Sequence, residues 1–293
     1  MSRAVTVGLD GSRESMAAAA WAADEARLRK LPLGLLHAWD LGPDVHTPLI
    51  GPDVRPHWAE RMPRKAAERI HTTHPGLEVR TAHRCGEPAT VLCRAAEDSE
   101  LLVLGSRGLG GLAGAVVGSV ALSVVARTRR PVVLVPVAEP EPARSGSGSG
   151  VSHGIVLGID LARPCDEVLD FAFAHARRHG AALRVLHSWS PPPLHGVRPT
   201  AATPVVASGV TAAKEAALTE FLEPWRRKYS TIPVTVRCRA GRAAHDLVEA
   251  ARAADLVVVG RRTRRSPVGS RIGSVVHAVL QHSPAPVAVI PHA

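Results

Sequence analysis

Aromatic residues make up only 3% of the 293-residue chain. Proteins that hold single-stranded nucleic acid usually stack bases on aromatic rings, so that class loses ground and nucleic acid is not an expected partner. Lysine is scarce as well: Lys30, Lys65, Lys214 and Lys228 are four of the 36 Lys+Arg residues, and the rest are arginines. The four cysteines (Cys85, Cys93, Cys165, Cys238) are scattered without a C-x-x-C pair. That spacing excludes a zinc knuckle and a dithiol redox motif, and it fits reduced thiols in a cytosol. Met1–Asp10 reads as a strand rather than a basic leader followed by an apolar core, so a cytoplasmic location is expected. One charge-free stretch, Leu109–Ala126, has the length that nominates a membrane span. It is rich in glycine and serine, and the matching stretch later in the chain carries Arg271, His277 and His282, so no membrane partner is expected.

What remains is an ordinary globular composition, 45% hydrophobic and 21% charged, with a formal net charge of +10. At roughly 150 residues per domain the length suggests two domains. The charge keeps polyanions, from nucleotides upward, among the candidate ligands.

Internal repetition decides the organisation. VTVGLD ending at Asp10 recurs as IVLGID ending at Asp160, and LLHAW around His37 recurs as VLHSW around His187. LLVLG ending at Gly105 recurs as LVVVG ending at Gly260, and Gly118-Ser119 recurs as Gly273-Ser274. The separation widens between Trp39 and Gly105, which puts a length difference in the loop-rich stretch after Trp39. The expected division is a first domain over 1–137, a flexible Pro/Gly/Ser linker over 138–152, and a second domain over 153–293.

Each copy alternates apolar strands with helices. In the first, strands are expected at Ala4–Leu9, Leu33–Trp39, Leu77–Cys85, Leu101–Gly105 and Val132–Val135. Helices are expected at Arg13–Lys30, capped by Ser12, near Trp58–Thr73, at Pro88–Glu97 and at Gly118–Thr128. Such alternation implies an α/β fold with parallel pairing and right-handed crossovers.

After the fourth strand comes Gly105-Ser106-Arg107-Gly108-Leu109-Gly110-Gly111, then Gly118-Ser119 opening a helix. Glycines let backbone N–H groups approach an anion, and the helix start adds unpaired donors and the positive dipole end. No lysine stands where a Walker A loop needs one, so the segment reads either as a phosphate cradle of another kind or as a glycine-rich surface loop without a ligand.

With these motifs in place, V-G-L-Asp10-G-Ser12, the L-His37-A-W strand end, Gly86-E-P-A and Gly105-x2-Gly108-x9-Gly118-Ser119, the chain resembles the universal stress protein family in both halves, in the tandem arrangement of actinobacterial members. The resemblance implies two tandem Rossmann-like domains of the adenine nucleotide alpha-hydrolase-like type, each a five-stranded parallel sheet flanked by helices. It also implies ATP, with Mg²⁺, bound where the strand order reverses. Carried over by position, Gly8 and Asp10 face ribose and adenine, and Ala38 offers backbone groups to the base. Gly105, Ser106, Arg107, Gly108, Leu109, Gly110, Gly111, Gly118, Ser119 and Val120 wrap ribose and phosphates. In the second copy the matching set is Gly158, Asp160, Gly260, Arg261, Gly273, Ser274 and Val275. That copy departs from the pattern: Gly11-Ser12 becomes Leu161-Ala162, Gly108 becomes Thr263, and four arginines lie within Arg261–Arg265.

His71, His74, His83 and Cys85 lack a metal-ligand spacing and read as surface and edge residues. His37 and His187 end matching strands, suiting hydrogen bonding at the sheet top, and Trp39 and Trp189 cap the core. No nucleophile–base pair is written in the sequence. The expectation is a nucleotide-binding stress-response module with little or no ATP turnover. The resemblance implies that the two halves pack as a pseudo-dimer through Val132–Val135 and Val287–Ile290, which would bury two sheet edges, and further homodimerisation is compatible with the pattern. The rivals are a slow ATPase or nucleotidyl-transfer enzyme on the same fold, and a basic polyanion binder using Arg261–Arg265.

Overall fold

A computed structural model describes residues 3–40, 54–106, 117–137, 154–190, 204–263 and 272–293, with backbone alone for 54–59 and 204–207. The expected linker, and Arg107–Gly111 of the glycine loop, lie outside the described residues.

The first half runs β1 (Ala4–Leu9), α1 (Arg13–Arg29), β2 (Leu33–Trp39), α2 (Val54–Thr73), β3 (Val79–Cys85), α3 (Pro88–Glu97), β4 (Ser99–Gly105), α4 (Ser119–Arg127) and β5 (Val132–Val135). The second half repeats the order with its own five strands and four helices: β6 (Ile155–Gly158), α5 (Asp166–His179), β7 (Leu183–Trp189), α6 (Pro204–Lys228), β8 (Val234–Ala240), α7 (Ala243–Ala251), β9 (Leu256–Arg262), α8 (Ser274–His282) and β10 (Val287–His292). Two expected strand starts shift. Leu77 donates its N–H to the His74 carbonyl and closes a turn, so β3 begins later. Ser99 is fastened by its hydroxyl to Thr6 Oγ1 and the Ala95 carbonyl, which extends β4 backward.

All ten strands form one sheet in the order β3-β2-β1-β4-β5-β10-β9-β6-β7-β8. Pairing is parallel within each half. At the centre β5 meets β10 antiparallel, with Val287 opposite Leu134 and Val289 opposite Val132. The expected pairing of the two final strands is therefore present, and it fuses the two five-stranded sheets into one mixed sheet. Every residue of β5 is buried, which removes two hydrophobic edges from solvent.

Helices cover both faces. The core on one face takes its helical residues from α1, α2, α5 and α6. The alanines Ala18, Ala19, Ala22, Ala23 and Ala26 let α1 lie close to the strands. The opposite core is built from α3, α4, α7 and α8. Both cores run across the seam, because β5 and β10 each contribute buried side chains to both.

Candidate functional site

In each half the strand order reverses between the first strand and the fourth: β2-β1-β4 in one, β7-β6-β9 in the other. Open α/β sheets bind ligands outside the carboxyl ends of the strands at this point.

In the second half the reversal opens into a cleft of about 460 Å³, within the usual range of roughly 300–1,000 Å³ for small-molecule sites. Gly158, Asp160, Gly260, Gly273, Ser274 and Val275, six of the seven positions expected there, line it together. Apolar walls come from Leu157, Leu169, Leu186, Leu247 and Val259. Helix α8 points its N-terminus into this space. Its cap residue, Gly273, offers no side chain, and the first turn holds no acidic residue. The N–H groups of Ser274, Val275 and Val276 therefore have no carbonyl to reach within the helix, and they carry the positive dipole end. Asp160 is exposed and accepts the Ala162 N–H at 3.1 Å.

His187 donates Nδ1–H to the Ile159 carbonyl at 3.0 Å, as its position at the strand end suggested. That bond makes Nε2 the acceptor of the neutral ring, and Nε2 is buried without a hydrogen-bond partner beside the cleft. His37 makes the matching bond to the Leu9 carbonyl at 2.8 Å.

Arg261 does not join the cleft. Strand β9 runs two residues past Gly260, paired with β10 as far as His292. Thr263, standing where the first copy has Gly108, clamps this extension with both its N–H and its hydroxyl on the His292 carbonyl. Arg261 thus becomes a strand residue on the α4 side. It is 4% exposed, and its guanidinium donates to the carbonyls of Ala126 and Thr128 at the end of α4. Its role is to join the halves.

Arg163, His292 and Cys165 are among the lining residues that escaped the sequence reading. Arg163 lines the cleft where the repeat places Arg13 in the first copy, a coincidence visible in the sequence. His292 sits against Gly260, where a Cβ would come within 3.1 Å of its ring, and no motif announced it. Cys165 caps the start of α5, and its thiol donates to Glu167 Oε2 at 2.9 Å. Burial, with this hydrogen bond, pushes the Cys165 pKa up to about 11.

The described part of the first site is built differently. Ser12 donates its hydroxyl and its N–H to Asp10 Oδ1, at 2.6 and 2.9 Å, while its oxygen accepts the Ser15 N–H and caps α1. Asp10 is thereby fastened to the start of a helix, a restraint Asp160 lost when Leu161-Ala162 replaced Gly11-Ser12. Ser106 is buried, donates its N–H to the Val135 carbonyl and accepts the Gly118 N–H. Gly118 caps α4 without a side chain, and Ser119 and Val120 are exposed at the helix start. Ala38 is the last residue but one of β2, half-buried. Gly8 carries a packing constraint: a Cβ there would lie 2.6 Å from Leu104 Cδ2 and 2.9 Å from Leu92 Cδ2.

A family model described as "Universal stress protein family" matches residues 1–136 and 153–291. Universal stress protein Rv2005c of Mycobacterium tuberculosis is 31% identical over 295 residues, covering 97% of this chain and 96% of the relative. The crystal structure of a universal stress protein from Archaeoglobus fulgidus superposes with a TM-score of 0.66 at 18% identity, covering 99% of this chain and 98% of that one. A further solved universal stress protein, in complex with cAMP, matches 46% of this chain and 96% of its own length, at 26% identity and a TM-score of 0.36.

Proposed function

Because the chain belongs to the universal stress protein family in both of its halves, we propose that it is a nucleotide-binding regulatory module that holds ATP with Mg²⁺ and turns it over slowly or not at all. The observation that carries this reading is the convergence of three ligand-directed features on the second cleft. The bare N-terminus of α8 suits phosphate, the Asp160 carboxylate suits a ribose hydroxyl or a phosphate-bound cation, and the buried Nε2 of His187 is an acceptor awaiting a donor. Arg163 adds a mobile positive charge at the same rim. Asp10, Ala38, Gly118, Ser119 and Val120, with the loop from Arg107 to Gly111, take the corresponding roles in the first half.

Of the arginines the polyanion reading invoked, Arg261 is buried at the seam and unavailable to a large ligand, whereas Arg262 is exposed.

The deciding experiment measures adenine nucleotide released on denaturing the purified full-length chain, followed by titration with Mg²⁺-ATP, cAMP and GTP. Saturable adenine nucleotide binding is expected, with Asp160→Ala weakening the second site roughly tenfold or more, as loss of a charged hydrogen bond does. Gly108→Ala is expected to weaken the first. Phosphate release should not exceed the buffer background. No nucleotide carried and no saturable titration would overturn the reading; phosphate release lost in Asp10→Ala would replace it with the slow ATPase.

A further inference from the structure

On one face of the sheet α1 of the first half meets α5 of the second. Glu25, on α1, is 1% exposed. His175 and His179 face it from α5, one helical turn apart, with their rings stacked at 4.1 Å between centroids. His179 Nε2 lies 2.8 Å from Glu25 Oε2, and His175 Nδ1 lies 3.4 Å from Glu25 Oε1. The second contact is an unresolved one. His175 is 3% exposed, and its Nδ1 is buried and makes no hydrogen bond, although a carboxylate oxygen sits beside it. The 3.4 Å between His175 Nδ1 and Glu25 Oε1, outside hydrogen-bond geometry, is a separation that an ion with bonds of about 2 Å to each atom spans.

We propose that Glu25, His175 and His179 form a binding site for a divalent transition-metal ion, best matched to Zn²⁺, that clasps the two halves together. Their ligand atoms all lie within 4.8 Å of one another. In a tetrahedral site with bonds of about 2.0–2.2 Å, neighbouring ligand atoms stand roughly 3.3 Å apart, close to the 3.4 Å between His175 Nδ1 and Glu25 Oε1, while His179 Nε2 stands nearest the other carboxylate oxygen, Oε2. One carboxylate and two imidazoles leave the fourth position for water, and His179, 30% exposed, gives the ion a path from solvent.

Arg29 Nε also contacts Glu25 Oε1, at 2.5 Å, and Arg178 Nη2 lies 3.8 Å from the same oxygen. A carboxylate has about four lone-pair sites, so Arg29 orients Glu25 from outside while the inner lone pairs face the histidines. The two guanidinium charges oppose the ion and set the affinity below that of an all-cysteine zinc site. The other cluster of this kind among the described residues, His245, Asp246 and Glu249, lacks the same opening. There Ser188 and Arg239 already occupy the two carboxylates, and His245 is exposed.

The test uses the full chain after treatment with chelator. Zn²⁺ titration followed by calorimetry and thermal melting should show saturable binding and a rise in Tm of a few degrees. Co²⁺ in its place should give the visible absorption bands of a tetrahedral N/O site. His179→Gln should lower affinity at least tenfold and abolish those bands, while His245→Gln should leave both unchanged. His179 is partly exposed, so its replacement keeps the fold where Glu25→Gln threatens it. Absence of saturable binding, or binding lost in His245→Gln and kept in His179→Gln, overturns the proposal.

Discussion

Gly105 and Gly273 look alike in the sequence, each a glycine beside an expected phosphate loop, yet their surroundings differ. A Cβ on Gly105 would sit 2.8 Å from the Glu14 carbonyl carbon and 2.9 Å from the Ser15 nitrogen, which is backbone at the start of α1. Nothing lies within 4 Å of a Cβ on Gly273. Gly105→Ala is therefore expected to destabilise the chain by about 1–3 kcal/mol through overpacking, whereas Gly273→Ala should cost under about 1 kcal/mol as a change of helix cap. Urea denaturation of the two variants decides it, and equal losses would count against this account. The pair shows where the sequence stops being readable. Glycine-rich spacing located both loops, but a glycine kept for a ligand and one kept for a neighbouring helix are written identically. Arg261 makes the same point for charge. Its identity was plain, but its direction depended on β9 running two residues further than the first copy's β4.

At the scale of elements the strands and helices were legible almost throughout, because buried parallel strands are unbroken apolar runs and proline and glycine mark their ends. What was not legible is how helices meet across long separations. The spacing of His175 and His179 was there to be seen, but Glu25 reaches them from another repeat, 154 positions from His179. A nearer contact, between α5 and α6, carries a pH dependence. Lys228 Nζ donates to Asp170 Oδ1 at 2.9 Å and the Tyr229 hydroxyl donates at 3.1 Å. The Lys228 hydrogen bond holds Asp170 below the usual carboxylate range against a smaller opposing effect of burial. A depressed folded pKa means the stabilisation is complete above the unfolded value, near 3.8, and disappears as pH falls through the folded one. Asp170→Asn should accordingly lower Tm at pH 7 by a margin that shrinks as pH is taken below 3.8. Melts of variant and wild type across that range check it, and a margin independent of pH would show the ion pair contributes nothing.

For the whole molecule the decisive feature is the β5–β10 pairing, which the family resemblance implied and which makes one sheet of two. A chain cut back to residues 1–137 keeps β5 but loses its partner strand, leaving Val132, Val133, Leu134 and Val135 along an open edge. Such a fragment should form a dimer through β5 against β5, detectable by analytical ultracentrifugation; a stable monomer would mean that the seam does not depend on covering this edge. The antiparallel join has a further consequence. It turns the carboxyl ends of the two sets of strands toward opposite rims of the sheet, and five inter-strand steps of about 4.8 Å put β1 roughly 24 Å from β6. Ligands bound at the two proposed sites would therefore be out of each other's electrostatic reach at physiological ionic strength. Each duplicate has had latitude to rewrite its own loop sequence, Gly108 in one copy and Thr263 in the other, without disturbing the proposed site of its twin.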